Sequence, residues 1–69
     1  MDFTWEPGFS ISVMFDGSAV VVSANREGLI SLANHLTTLA ETEPRTHFHL
    51  DEHNSLEEGS CELIVERID

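Results

Sequence analysis

A run of alternating side chains, closed by a turn dipeptide, constrains the fold of this chain most. Residues 9–15 read Phe-Ser-Ile-Ser-Val-Met-Phe, and such alternation is typical of a β-strand with one buried face. Asp16-Gly17 follows and favours a two-residue hairpin turn. The second strand would then place Val20 opposite Val13. The sequence therefore predicts a β-hairpin whose inward side chains are Phe9, Ile11, Val13, Phe15, Val20 and Val22, with Met14 and Val21 facing outward.

An amphipathic helix is predicted after this hairpin. Asn25 is a suitable N-cap, and Glu27 puts an anion in the first turn, where the helix dipole favours it. Apolar residues at spacings of three and four then form one stripe, namely Leu29, Leu32, Ala33, Leu36, Leu39 and Ala40. The helix should end near residues 41–42, because Pro44 disfavours helical backbone at the residue before it. We expect Leu36 in the core, where truncation to alanine would cost about 2–5 kcal/mol.

A second, less regular hairpin completes the predicted fold. Its strands are Thr46–Leu50 and about Cys61–Arg67, with Cys61, Leu63 and Val65 inward, and residues 51–60 form a long acidic connection anchored by Leu56. We expect one α+β domain over residues 1–69, a four-stranded antiparallel sheet in ββαββ order with one helix packed on one face. The strand order would be 2-1-3-4. The predicted core is Phe9, Ile11, Val13, Val20, Val22, Leu32, Leu36, Phe48, Leu50, Leu63 and Val65.

The net charge of the chain limits the classes of molecule that it can bind. Thirteen acids against three arginines and no lysine give a net charge of −10. Nucleic acids and anionic membranes are therefore excluded as partners, since binding them depends on Lys and Arg. A basic protein surface would be attracted instead. Simple maintenance of solubility explains the same acidity and stays open as an alternative.

Location can also be predicted from the sequence. No apolar run approaches the roughly 20 residues that span a bilayer. Residues 1–6 show neither a basic segment nor an apolar one of the kind that forms a signal peptide. The single cysteine, Cys61, excludes an internal disulfide and fits a reducing compartment. We therefore expect a cytoplasmic protein.

Three of the four histidines lie in the segment His47-Phe48-His49-Leu50-Asp51-Glu52-His53-Asn54. Alternation puts Phe48 and Leu50 on one face and the other side chains of the strand on the opposite face. His47 and His49 would lie about 6.5 Å apart, close enough to share a zinc ion. No second ligand cluster completes such a site, so a solvated histidine face is the favoured interpretation. We expect no cofactor and no stoichiometric zinc in the purified protein.

Catalytic patterns are weak throughout. The adjacent carboxylates at 51–52 and 57–58 have no defined pairing that would shift their pKa values. Ser55 and Ser60 lack a nucleophile-elbow motif, and Cys61 has no basic neighbour to activate it. The sequence therefore predicts a protein that is not an enzyme.

Several segments together carry a family resemblance. The chain contains, in order, Asn25-Arg26-Glu27-Gly28-Leu29, Leu32-Ala33-Asn34-His35-Leu36, the histidine segment, Gly59-Ser60 and Glu62-Leu63-Ile64-Val65. This combination resembles a small family of bacterial immunity proteins from polymorphic toxin systems, over about Ser23–Arg67. In such systems the immunity protein neutralises a toxin made by the same or a sister cell. The resemblance implies a cytoplasmic inhibitor whose partner is a cognate protein toxin.

The open sheet face and the acidic connection are the candidate partner-binding surface. Its residues are His47, His49, Asp51, Glu52, His53, Glu57, Glu58, Met14 and Ile64. A toxin that acts on nucleic acid usually has a basic groove, so a nuclease would suit an acidic inhibitor. Two alternatives stay open: a small metal-binding or regulatory module that uses the histidine strand, and a homodimer subunit whose open sheet face is buried against itself.

Overall fold

The computed structural model describes residues 4–69. Two strands, one helix and two further strands follow one another in the predicted ββαββ order, and the predicted α+β class is confirmed. The elements are β1 (Ile11–Asp16), β2 (Ala19–Ala24), α1 (Arg26–Ala40), β3 (His47–Leu50) and β4 (Leu63–Glu66). Residues 1–3, on which the expectation of no signal peptide partly rests, lie outside the described residues.

The strands form two sheets rather than one. β1 pairs with β2 and β3 pairs with β4, both antiparallel, so the predicted single four-stranded sheet with order 2-1-3-4 is wrong. The outer edge of β1 is occupied by the segment that precedes β4. Glu57 N donates to Ile11 O at 2.9 Å, and Cys61 N donates to Val13 O at 2.7 Å. Val13 N in turn donates to Ser60 Oγ at 3.2 Å. This loop takes the hydrogen bonds that a neighbouring strand would need.

The first hairpin forms with a different register from the predicted one. Val13 lies opposite Val22 instead of Val20. The turn residues are Gly17 and Ser18, one position later than predicted, and Gly17 has a φ of 63° while Ser18 does not take a positive value. Positive φ at the first central residue alone is the type II′ arrangement, which prefers glycine there. The register differs by two residues, so each side chain keeps its predicted face.

The core lies where α1 and the inner ends of both hairpins meet. Its buried apolar residues are Ile11, Val13, Leu39, Phe48, Leu50 and Leu56, with Trp5, Phe9, Ala24, Leu32, Leu63 and Val65 packed partly buried around them. Trp5 covers one side, stacked on Phe9 with ring centroids 4.5 Å apart. The tip of the first hairpin extends past this core. Phe15, Val20 and Val22, predicted as inward, are exposed.

The helix is rolled relative to the prediction. Its buried residues are Gly28, Ser31, His35 and Leu39. Leu36, predicted as a core residue, is 49% exposed, so a large cost for its truncation is no longer expected. The reason lies at Gly28, where a Cβ atom would come within 2.5 Å of Ser10 O. The backbone of the helix can lie this close to the hairpin only because residue 28 has no side chain, and this contact selects the face that packs.

The predicted ends of the helix are confirmed. Asn25 is the N-cap, and its Oδ1 accepts hydrogen bonds from Gly28 N at 2.8 Å and from Ser10 N at 3.0 Å. Its Nδ2 donates to Gly8 O at 2.9 Å. One side chain therefore ties the helix start to the entry of β1. Glu41 caps the other end. Within residues 4–69, no helix has the length and apolar character needed to cross a membrane.

Candidate binding face

The outward side of the second hairpin combines imidazole, carboxylate and apolar groups. In β3, Phe48 and Leu50 point into the core while His47 and His49 are exposed, which confirms the predicted alternation. The two imidazole centroids are 6.2 Å apart. These histidines and their neighbours in and beside β4 are called the histidine face: His47, His49, Glu62, Ile64 and Glu66.

Strand β4 supplies the other half of the histidine face. Glu66 lies opposite His47, and Ile64 lies opposite His49. Ile64 is 60% exposed, an apolar side chain set among polar ones. Glu62, just before the strand, places Oε2 3.3 Å from His49 Nδ1. Both partners of this pair are about half exposed, and such surface pairs contribute at most about 1 kcal/mol to stability. The pair orients the imidazole more than it stabilises the fold.

A possible ligand set differs from the one that spacing suggested. One ligand atom each from His49, Asp51 and Glu62 lies within 4.8 Å of the other two. The sequence had paired His47 with His49, and Glu62 was missed because only the folding of the loop brings it beside β3. Two carboxylates and one imidazole on an open surface provide three ligands, whereas tight structural zinc sites need about four in closed geometry.

Gel filtration of tag-free protein in the presence of zinc tests this site. We expect no equimolar zinc to remain bound, because the three ligands are exposed or only half buried. The exposed His53→Ala variant, outside the cluster, is the control. Equimolar zinc that survives the column in the wild type and in the control, and is lost in Glu62→Gln, would contradict the prediction and establish the metal-binding alternative.

The connection between β3 and β4, residues 51–60, is called the acidic loop. Hydrogen bonds within the loop hold its conformation. Leu56 is buried in the core as expected. Asp51 O accepts hydrogen bonds from Asn54 N and Leu56 N, each at 3.0 Å. Asp51 Oδ1 accepts from His53 N at 2.9 Å. Asp51 therefore organises the turn after β3 with both its backbone and its side chain, and the loop presents its acids in set positions.

Two of the remaining loop acids, Glu52 and Glu57, accept hydrogen bonds from other residues of the chain. Glu57 Oε1 accepts a hydrogen bond from Ser10 Oγ at 2.7 Å, so Glu57 joins the loop to the first hairpin. Glu52 Oε2 accepts from Gly59 N at 2.8 Å. Glu52, His53 and Glu58 line a shallow open depression. Glu58 is exposed there and available to a partner.

Two sequence predictions about this region fail. Met14 lies in β1 opposite Val21, so it does not share a sheet with Ile64, because the two hairpins form separate sheets. Cys61 is exposed and not inward, because β4 begins only at Leu63 and the backbone at 61 pairs with β1 instead. The fourth histidine, His35, is fully buried in the core and takes no part in the face.

Most of the chain, including the second hairpin, matches a known protein family. The model of the family described as Immunity protein 32 matches residues 19–68, which is more than half of the chain. The chain belongs to the Immunity protein 32 family. The resemblance to immunity proteins predicted from the sequence is thereby confirmed. Neither the curated proteins nor the solved structures contain a match to the chain.

Membership of the Immunity protein 32 family bears on the candidate residues as well. The match over residues 19–68 includes the whole histidine face and the acidic loop. Met14, the one candidate in the first strand, lies outside it. The family indicates a toxin-neutralising role, so the question for these residues is whether they bind a toxin.

Proposed function

We propose that this immunity protein neutralises its cognate toxin by covering a basic surface of the toxin with the histidine face and the acidic loop. The observation that carries the proposal is the position of Ile64. It is an exposed apolar side chain opposite His49, with carboxylates on the same hairpin and in the adjoining loop. An apolar centre inside a polar rim is the usual anatomy of a protein–protein interface.

Charge supports the same assignment. Eight of the thirteen acids lie in the last 27 residues, and they are Glu43, Asp51, Glu52, Glu57, Glu58, Glu62, Glu66 and Asp69. Of the two arginines in this stretch, Arg67 donates to the Thr42 carbonyl and pairs with Asp69 at 2.9 Å. Its guanidinium is therefore engaged at the end of the chain. The field around the acidic loop stays negative, which speeds encounter with a basic partner.

The proposal extends to the class of toxin and to the mode of inhibition. An enzyme that acts on nucleic acid needs a basic substrate groove, so a nuclease fits this face best. Inhibition would be steric and electrostatic, without catalysis by the immunity protein and without a cofactor. It would take place in the cytoplasm of a bacterial cell.

Co-expression with the toxin encoded beside its gene, scored by survival, tests the proposal. We expect the wild type to protect and Ile64→Ala to raise koff of the purified complex at least about tenfold, since a central apolar contact is worth more than 1 kcal/mol. The matched control is Ile68→Ala, at the still more exposed Ile68, and should leave koff unchanged. A wild type that gives no protection would show that the inhibitor assignment is wrong.

A second pair of variants tests the acidic rim separately. Glu58→Gln with Glu66→Gln should slow kon at low salt more than it changes koff, because rim charges act mainly on association. Glu57 is left unchanged because it accepts a hydrogen bond from Ser10 Oγ, so its replacement would also alter the contact between the loop and the first hairpin. Glu41→Gln with Glu43→Gln, two exposed acids after the helix, makes the same change in net charge and serves as the control. Equal effects of the two pairs would mean that net charge matters and this face does not.

A further inference from the structure

The tip of the first hairpin exposes apolar side chains on both of its faces. Phe15, Val20 and Val22 lie on one face and Met14 and Val21 on the other, with exposed fractions from 41% to 67%. These five residues are called the tip patch. We estimate its apolar surface at roughly 400–500 Å². The largest apolar patch on a typical monomer is about 300–600 Å² and is often a binding site.

The outer edge of β2 adds unpaired backbone to the tip patch. β2 belongs to a two-stranded sheet, and no other segment within residues 4–69 pairs with its outer edge. The strand reads Ala-Val-Val-Val-Ser-Ala. It contains neither a charged residue nor a proline, and these are the residues that usually protect an edge strand from pairing. An uncharged edge of six residues is suited to accept another strand.

We propose that two copies of this chain pair through β2, antiparallel, about a twofold axis at Val21. In this register Val21 faces Val21 of the second copy, and Val20 faces Val22 of the second copy. Directly opposite residues share a face in an antiparallel sheet. Met14 and Val21 of both copies therefore form one apolar row, and Phe15, Val20 and Val22 of both copies cover the opposite face. The result is a continuous four-stranded sheet.

Charge favours a second copy over a basic partner at this edge. Asp16 is the one charged residue between Phe9 and Asn25, so two chains of net charge −10 can meet here without opposing acids face to face. The same neutrality gives a basic toxin no attraction to this edge. The patch is also self-complementary, as a twofold interface requires. This pairing is independent of the proposed toxin face, which lies on the other hairpin.

The area predicts a weak dimer. The two tip patches together expose roughly 800–1,000 Å², and edge pairing buries only part of it, because both faces of the joined sheet stay in water; a stable interface buries about 1,200–2,000 Å². Sedimentation of the full chain from about 5 to 500 µM should therefore show a mass that rises from one chain of 7.7 kDa towards two. Val21→Lys and Val21→Glu should each weaken self-association at least about tenfold, because like charges would face each other on the axis. A mixture of the two variants should associate again.

The matched controls are Ile64→Ala and Ile68→Lys, which change exposed apolar residues elsewhere and should dimerise like the wild type. Circular dichroism confirms that each Val21 variant is folded, which restored association in the mixture would also show. A wild type at one-chain mass throughout would overturn the proposal. So would dimers unaffected by the Val21 variants, or a mixture that stays monomeric. Loss of toxin binding in a folded Val21→Lys variant would assign the edge to the toxin and would also overturn it.

Discussion

Replacement of Gly28 by alanine is expected to destabilise the protein, although alanine is the better helix former. The new Cβ would lie 2.5 Å from Ser10 O and 3.0 Å from both the Ala24 Cβ and the Ile11 Cγ1. Ser10 O also accepts a hydrogen bond from Asn25 N, so moving it disturbs the N-cap. Overpacking of this kind costs about 1–3 kcal/mol or more, against a gain of about 1 kcal/mol in helix propensity.

The net effect at Gly28 is measurable by urea or thermal unfolding. We expect a net loss of about 1–2 kcal/mol, which is large for a domain whose single small core supplies about 3–5 kcal/mol of stability. Ala33→Gly, on the exposed side of the same helix, is the control for propensity alone and should cost about 1 kcal/mol. A Gly28→Ala variant more stable than the wild type would show that α1 does not lie this close to the hairpin.

Acidification below neutral pH is expected to destabilise the protein through His35. Burial lowers the pKa of His35 below its ordinary value of 6.5, and its ring packs against Trp5 at 4.0 Å and Phe48 at 5.8 Å between centroids. Well above pH 6.5 both the folded and the unfolded state are neutral at this site, so protonation of His35 imposes no penalty. Below that pH the unfolded chain binds a proton that the folded chain resists. Stability therefore falls as the pH drops from 6.5 towards the folded-state pKa.

The expected slope is up to about 1.4 kcal/mol per pH unit for one group. Unfolding free energies at a series of pH values between 7.5 and about 5 would measure it. His35→Leu removes the titrating group while keeping an apolar side chain in the core, and should flatten this part of the profile. His53→Ala, at an exposed histidine, should not. A profile for His35→Leu that parallels the wild type would assign the pH dependence to other groups.

Local features of this protein could be predicted from its sequence. The N-cap at Asn25 and the helix end before Pro44 depend on residues close together in the chain, and both are confirmed. The same holds for Phe48 and Leu50, whose alternation with histidines decides which side of β3 is buried. The immunity-protein family was also predicted from short segments and is confirmed. The binding residues stay a prediction, although the histidine face indeed exposes His47 and His49 together.

Only the tertiary structure decided how these elements meet. The helix turned a different side to the core, because Gly28 lets its backbone approach Ser10, and no periodicity of leucines carries that information. The sheet is divided in two because backbone groups at Glu57 and Cys61 bond to β1. Every residue type except proline offers such an N–H group, so no pattern in the sequence signals the pairing. The approach of Glu62 to His49 follows from the same loop. Contacts between neighbours in the chain follow from the order of the side chains, whereas contacts across the fold also depend on backbone groups that the side-chain pattern does not single out.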